Sequence, residues 1–119
     1  MSGDLPHPGG AVVVLTTVGN AEQAGSLARG LVSNHLAGCA TAIPGACSTY
    51  FWEGRIHQDS EILLIIKTMP DRLDALERFL NDQHPYQLPE FIVLSVQHGS
   101  PRYLDWLRAV TGGPNAEEG

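Results

Sequence analysis

The sequence lacks the features by which proteins bind nucleic acids or membranes. Of its 119 residues only 7 are Lys or Arg, against 13 Asp or Glu, and the formal net charge is −6. The basic residues form no cluster, whereas phosphate backbones and anionic lipid surfaces are bound by grouped cations. The apolar run at residues 62–66 is far shorter than the roughly 20 residues that cross a bilayer. We therefore expect neither a nucleic-acid nor a membrane partner.

Cysteine is also scarce, because Cys39 and Cys47 are the only two. Both fall in one predicted strand, where a rise of roughly 3.3 Å per residue separates them by about 26 Å. That distance is too long for a disulfide. Residues 1–10 show neither the basic start nor the apolar segment of a secretory signal. These observations together predict a cytoplasmic protein.

The common catalytic and cofactor motifs are missing as well. The sequence contains no Walker loop, no GxGxxG, no HExxH, no GxSxG and no paired-cysteine zinc spacing. Cys39 has no sequence neighbour that could serve as its base, so it is interpreted as a structural residue. We expect a protein that is not an enzyme and that carries no organic cofactor.

The residues that are present predict an α+β fold. Apolar and β-branched runs indicate strands at 11–18, 39–52, 61–68 and 91–98, and helical periodicity indicates helices at 20–37, 69–83 and 101–110. Gly38 is expected to end the first helix in the left-handed conformation, and Pro44 with Gly45 to interrupt the second strand. The order predicts a ferredoxin-like βαββαβ sandwich with a C-terminal helix. It spans 11–111, between flexible ends at 1–10 and 112–119.

The strands are apolar on both faces. Strands one, three and four place apolar residues at successive positions, as in Leu63 and Leu64 or Ile92 and Val93. An antiparallel sheet with one wet face should instead alternate. Two helices can cover only one face of four strands, so further copies of the chain are expected to cover the other. Closed symmetric oligomers are the usual arrangement.

Specific motifs then indicate a family. The segments concerned are Thr16-Thr17, Leu36-Ala37-Gly38-Cys39, Ile43-Pro44-Gly45, Tyr50-Phe51-Trp52-Glu53-Gly54, Ile66-Lys67-Thr68, His84-Pro85-Tyr86, Pro89-Glu90 and Tyr103-Leu104-Asp105-Trp106. In these, the sequence resembles the CutA (divalent-cation tolerance) family over residues 11–110. The resemblance implies a ferredoxin-like homotrimer, similar in build to the PII signalling proteins. It also implies a role in divalent-cation tolerance, with copper(II) the expected metal.

Two positions depart from the copper-binding members of that family. Some of those members carry Cys where this chain has Thr16 and a second His where it has Gln83. Hydroxyl and amide groups are poor substitutes for thiolate and imidazole as copper ligands. Of that ligand set only His84 remains in this sequence.

The predicted metal ligands are His84, as a neutral imidazole, and Glu90, as a hard oxygen donor. They lie on a segment stiffened by Pro85 and Pro89, which lowers the entropy lost in holding polar groups in place. One His and one Glu do not complete a site, so a symmetry mate would have to supply further ligands.

A second hypothesis remains open beside metal tolerance. In it the chain is a PII-like signalling or scaffolding module that binds a small anion or a partner protein in clefts between subunits. Lys67, near the end of an apolar strand, either extends its amine to solvent or serves such a polar role. The aromatic residues either pack at a subunit contact or stack a ligand. The predicted cleft residues are Trp52, Lys67, Tyr86, Glu90, Tyr103 and Trp106.

Overall fold

A computed structural model describes residues 10–112. All but Gly10 and Gly112 of the predicted flexible ends lie outside that range. The elements are β1 (Val12–Val18), α1 (Ala21–Ser33), β2 (Cys39–Trp52), β3 (Arg55–Thr68), a 3₁₀ turn (Pro70–Arg72), α2 (Leu73–Gln83), β4 (Ile92–Ser95) and α3 (Pro101–Thr111). The strands form one antiparallel sheet in the order β2-β3-β1-β4. This confirms the predicted α+β class.

The core forms between the sheet and the first two helices. Every second residue of β1 points inward, and α1 and α2 each place an apolar stripe against the same face. Asn20 starts α1, because its side chain accepts a 2.9 Å hydrogen bond from the Gln23 N–H. The inward residues of β1 and β3 then meet the buried leucines of both helices. This core contains Val14, Val18, Leu27, Leu31, Leu64, Ile66, Leu76 and Leu80. It lies on one face of the sheet.

The β2–β3 hairpin is longer than predicted. The third strand is predicted to begin at residue 61, but β3 begins at Arg55 and pairs at once with Trp52. Glu53 and Gly54 make the two-residue turn, with φ of 52° and 82°, which matches the twist of paired strands. Both faces of this arm are largely exposed, so its sequence carries little apolar alternation.

The structure tests three further predictions, for the bulge in β2, the end of β4 and the start of α2. The bulge in β2 is confirmed, since the register shifts between Ile43 and Ala46 and Gly45 has φ of 86°. The predicted end of β4 at residue 98 is wrong, because Ser95 already pairs with Val12, the first residue of β1. The second helix begins at Leu73 rather than at residue 69, after the 3₁₀ turn.

The left-handed residue after α1 is His35, with φ of 59°, and not Gly38 as predicted. Position 38 requires glycine for a different reason, the close packing of α3. A Cβ atom there would lie 2.5 Å from Leu107 Cδ1 and 2.9 Å from Val110 Cγ2. The absent side chain therefore lets α3 pack closely against the start of β2.

The second face of the sheet stays open in the single chain. We call this the open face; it carries Val13, Leu15, Thr17, Ile43, Leu63, Ile65, Ile92 and Leu94 with Glu61 and Lys67. Ile92 and Leu94 are each 48% exposed, and the strand residues between them and β2 are mostly half-buried. An apolar surface of this extent on a folded domain indicates an interaction site.

Replacing Gly38 by Ala should destabilise the protein. The added methyl overlaps Leu107 and Val110, and such overpacking costs about 1–3 kcal/mol in the free energy of unfolding. Gly25→Ala is the matched control, since its nearest neighbour is the flexible end of Arg29 and Ala favours a helix by about 1 kcal/mol. Urea unfolding should show opposite signs for the two variants. Equal stability would contradict the close approach of α3.

Candidate functional site: an acidic cleft on the open face

A cleft of about 530 Å³ lies at one end of the open face. It forms where the β2–β3 arm faces the loop at residues 84–91, and it contains two carboxylates, Glu61 and Glu90. We call it the acid cleft. Its walls are Thr17, Ser48, Thr49, Tyr50, Phe51, Trp52, Tyr86 and Leu88. It therefore combines hard oxygen donors with aromatic surface.

Glu61 is the most buried carboxylate of the cleft, at 8% exposure. The Tyr86 hydroxyl donates a 2.5 Å hydrogen bond to its Oε2. Burial, together with this bond and the nearby negative charge, raises the pKa of Tyr86 well above its usual value of 10. Tyr86 is thus a neutral donor at physiological pH. Within residues 10–112, no basic nitrogen lies within 4.0 Å of Glu61 to balance its charge.

His84 holds the loop against the sheet with both ring nitrogens. Its Nε2 lies 2.8 Å from the Thr17 carbonyl oxygen, and its Nδ1 lies 3.2 Å from the Tyr86 N–H. A carbonyl only accepts and an N–H only donates, so the proton is on Nε2 and the lone pair on Nδ1. Pro85 excludes helical geometry at His84, which ends α2 there with ψ of 133°.

Burial lowers the pKa of His84 below its usual value of 6.5, against the opposing effects of the Thr17 hydrogen bond and Glu61. The imidazole is therefore neutral at pH 7, the form that ligates metals. Its Nε2–H bond to a main-chain carbonyl is the arrangement that orients metal-bound histidines. A metal at Nδ1 would have to replace the Tyr86 N–H.

Thr16 and Gln83, where the sequence departs from the copper-binding proteins that it resembles, both lie outside the acid cleft. Thr16 is fully buried on the helix-covered face, and its hydroxyl has no hydrogen-bond partner in the described part of the chain. Gln83 lines a separate cavity with Glu22 and Phe79. Across residues 10–112, no three His, Cys, Asp or Glu side chains form a group that could hold a metal ion.

The six predicted cleft residues fall into two separate groups. Trp52, Tyr86 and Glu90 line the acid cleft. Lys67 lies near the other end of β3, with its Nζ 5.6 Å from the centroid of the Tyr103 ring. The Tyr103 and Trp106 rings stand 5.4 Å apart beside it. The single chain does not bring the two groups together.

Sequence reasoning missed Glu61 as a site residue. Its signal was present, because Glu61 shares a face of β3 with Leu63 and Ile65, where a lone carboxylate is unusual. The partner that explains its position, Tyr86, is 25 residues away in the sequence. Only the tertiary structure brings the two side chains together.

The pKa of His84 makes stability depend on pH in a predictable direction. The unfolded chain binds a proton at His84 near pH 6.5, whereas the folded chain binds it only at lower pH. The free energy of unfolding contributed by this group is therefore present above pH 6.5 and is lost as the pH falls. Urea unfolding at about pH 7.5 and pH 5.5 should show a smaller pH dependence for His84→Gln than for the wild type.

Gln83→Ala is the control, because Gln83 precedes His84, carries no titratable group and lines a separate cavity, so the wild-type pH dependence should persist. The same slope in the wild type and in His84→Gln would show that protonation of His84 is not coupled to folding.

Known proteins match this chain along most of its length. The family described as CutA1 divalent ion tolerance protein matches residues 12–110. The divalent-cation tolerance proteins CutA of Citrobacter koseri and of an Escherichia coli strain are each 46% identical over 99 residues, covering 83% of this chain and 86% and 88% of theirs.

Solved structures agree with the sequence relatives. The divalent cation tolerance protein of Thermus thermophilus superposes with a TM-score of 0.84 at 40% identity, covering 86% of this chain and 99% of that one. CutA1 of Oryza sativa gives 0.84 at 41% identity, with 87% and 95% covered. A relative from Archaeoglobus fulgidus is named periplasmic, so the family includes proteins described from outside the cytoplasm.

No helix within residues 10–112 is long and apolar enough to cross a membrane. The βαββαβ order, the motif segments and the agreement with both sets of relatives lead to one assignment. This chain belongs to the CutA family of divalent-cation tolerance proteins.

Proposed function

We propose that this chain acts in divalent-cation tolerance as a homotrimer that binds copper(II) or another divalent cation in the acid cleft. Family membership gives the role in tolerance. The observation that supports the cation site is the acid cleft itself, which opens on the uncovered apolar face and contains the carboxylates of Glu61 and Glu90. The role is one of binding rather than catalysis, and the predicted compartment remains the cytoplasm.

The open face supports the trimer. Val13, Leu15, Leu63 and Ile65 form a continuous half-buried apolar surface across the two central strands. Burial of apolar surface stabilises association by about 25 cal/mol per Å², and another copy of the chain offers a surface of the same apolar character. The resemblance to the CutA family is what selects three copies.

The loop at residues 84–91 supports the metal. His84 is buried beside the acid cleft, and its neutral Nδ1 accepts a hydrogen bond from the Tyr86 N–H, which a metal would have to replace. Glu90 supplies a carboxylate that lines the cleft itself. Copper(II) is the first cation to test, because it binds a given nitrogen–oxygen site more tightly than other divalent first-row metals. In the proposed trimer, a neighbouring copy supplies the further ligands.

Light scattering on the purified protein tests the assembly. We expect a mass of three chains of 12.8 kDa at micromolar concentration. Leu15→Asp places a charge in the middle of the open face without entering the core and should shift the mass toward one chain. A wild-type protein that is monomeric throughout the micromolar range would contradict the trimer.

Calorimetric titration with copper(II) tests the site. His84→Gln and Glu90→Gln should each weaken the affinity by about tenfold or more, the effect usual for a ligand or its immediate support. Asp82→Asn removes an exposed carboxylate of α2, is the control for adventitious binding and should match the wild type. Unchanged affinity in both His84→Gln and Glu90→Gln, or equal loss in Asp82→Asn, would exclude the acid cleft as the copper(II) site.

A further inference from the structure

Two unbalanced charges stand at opposite ends of the open face. Glu61 and Lys67 are the only charged residues among the odd-numbered positions 61–67 of β3, and they share that face with Leu63 and Ile65. Six residues of strand separate them, which is roughly 20 Å. They are therefore too far apart to pair within one chain.

Neither charge has an ionic partner in the part of the chain that the structure describes. Glu61 is 8% exposed and accepts one hydrogen bond, from a neutral tyrosine. The Lys67 ammonium lies over the Tyr103 ring, and no carboxylate is within 4.0 Å of it. A buried carboxylate without a counter-charge is costly, and covering the open face with apolar surface would desolvate both groups further.

We propose that Lys67 of one copy enters the acid cleft of a neighbouring copy and pairs there with Glu61. The inference rests on the proposed trimer and adds the contact that specifies its geometry. Closure about a three-fold axis gives each chain two different neighbours. The Lys67 end of the open face then meets one neighbour and the Glu61 end meets the other, so that the trimer contains three equivalent pairs.

The surroundings of the two charges suit this pairing. The cleft has aromatic and apolar walls, including Trp52 and Leu88, which can enclose the long apolar stem of a lysine. Tyr86 already holds the Glu61 carboxylate in one orientation, so little further ordering is needed to receive an ammonium. Tyr103 and Trp106 lie beside Lys67, so in this contact their rings would pack at the entrance of the neighbouring copy's cleft.

This contact also explains the division of the predicted cleft residues. Within one chain, Trp52, Tyr86 and Glu90 lie at one end of the open face and the group around Lys67 at the other. In the proposed contact they form one composite cleft at each interface. Its occupant in the absence of any ligand is the lysine of the neighbouring copy. Because Lys67 balances Glu61, Glu90 remains available for a cation.

A double-mutant cycle on assembly tests the pair. Lys67→Gln, Glu61→Gln and the double variant are diluted, and light scattering gives the concentration at which each half-dissociates. Each single change should raise that concentration by at least about tenfold, since it leaves one buried charge unpaired. The double variant should be no worse than either single variant, because no unpaired charge remains.

The matched control is the cycle of Lys67→Gln with Glu77→Gln. Glu77 is an exposed carboxylate of α2, on the helix-covered side of the sheet, and its effect should simply multiply with that of Lys67. If the wild type is trimeric but the effects of Lys67→Gln and Glu61→Gln on the half-dissociation concentration also multiply, the pairing is wrong. The trimer itself would still stand.

Two further outcomes separate the inference from the proposed function. A wild-type protein that never assembles would overturn the trimer and the pairing together. If Glu61→Gln weakens copper(II) binding in calorimetry but leaves assembly unchanged, Glu61 serves the cation rather than Lys67, and the pairing is wrong. Circular dichroism of every variant is the control for retention of the monomer fold.

Discussion

The structure depends on a sheet that is apolar on both faces while its own helices cover only one. Packing α1 and α2 against Val14, Val18, Leu64 and Ile66 forms the core of the single chain. The other face, with Leu15 and Ile65 near its centre, has no covering element in residues 10–112. Within the described residues α3 packs at the sheet end beside Gly38 and leaves this face uncovered. The acid cleft and the group around Lys67 both lie on that uncovered surface, which the proposed trimer would cover.

The acid cleft shows how local rules produce a polar site beside such a surface. Pro85 ends α2 and turns His84 toward the sheet. There the imidazole bridges the Thr17 carbonyl and the Tyr86 amide. This bridge places the Tyr86 hydroxyl on Glu61. The end of α2, the hydrogen bonds of His84 and the orientation of the Glu61 carboxylate are thus linked through direct contacts. His84 therefore has a structural role as well as being a candidate ligand.

Much of the fold could be predicted because its signals are local. β1, β2 with its bulge, and the start of α1 were all placed from pattern and turn chemistry. The errors arose where contacts with other segments decide the structure. The polar start of β3 is a strand because a tight turn pairs it with β2, and β4 ends opposite the first residue of β1. α1 ends at Ser33, four residues before its predicted end. Gly38 was assigned a backbone role, whereas the packing of Leu107 requires it.

The sequence by itself determined the family and the class of fold, because motif segments and apolar periodicity are properties of neighbouring residues. Only the tertiary structure decided which residues share a site. It joined Glu61 to Tyr86 and separated Trp52 from Lys67, since contacts between distant segments depend on strand register and on where each loop crosses the sheet. Leu63 and Leu64, or Ile65 and Ile66, look equally apolar in the sequence, and packing alone shows which member of each pair the helices cover.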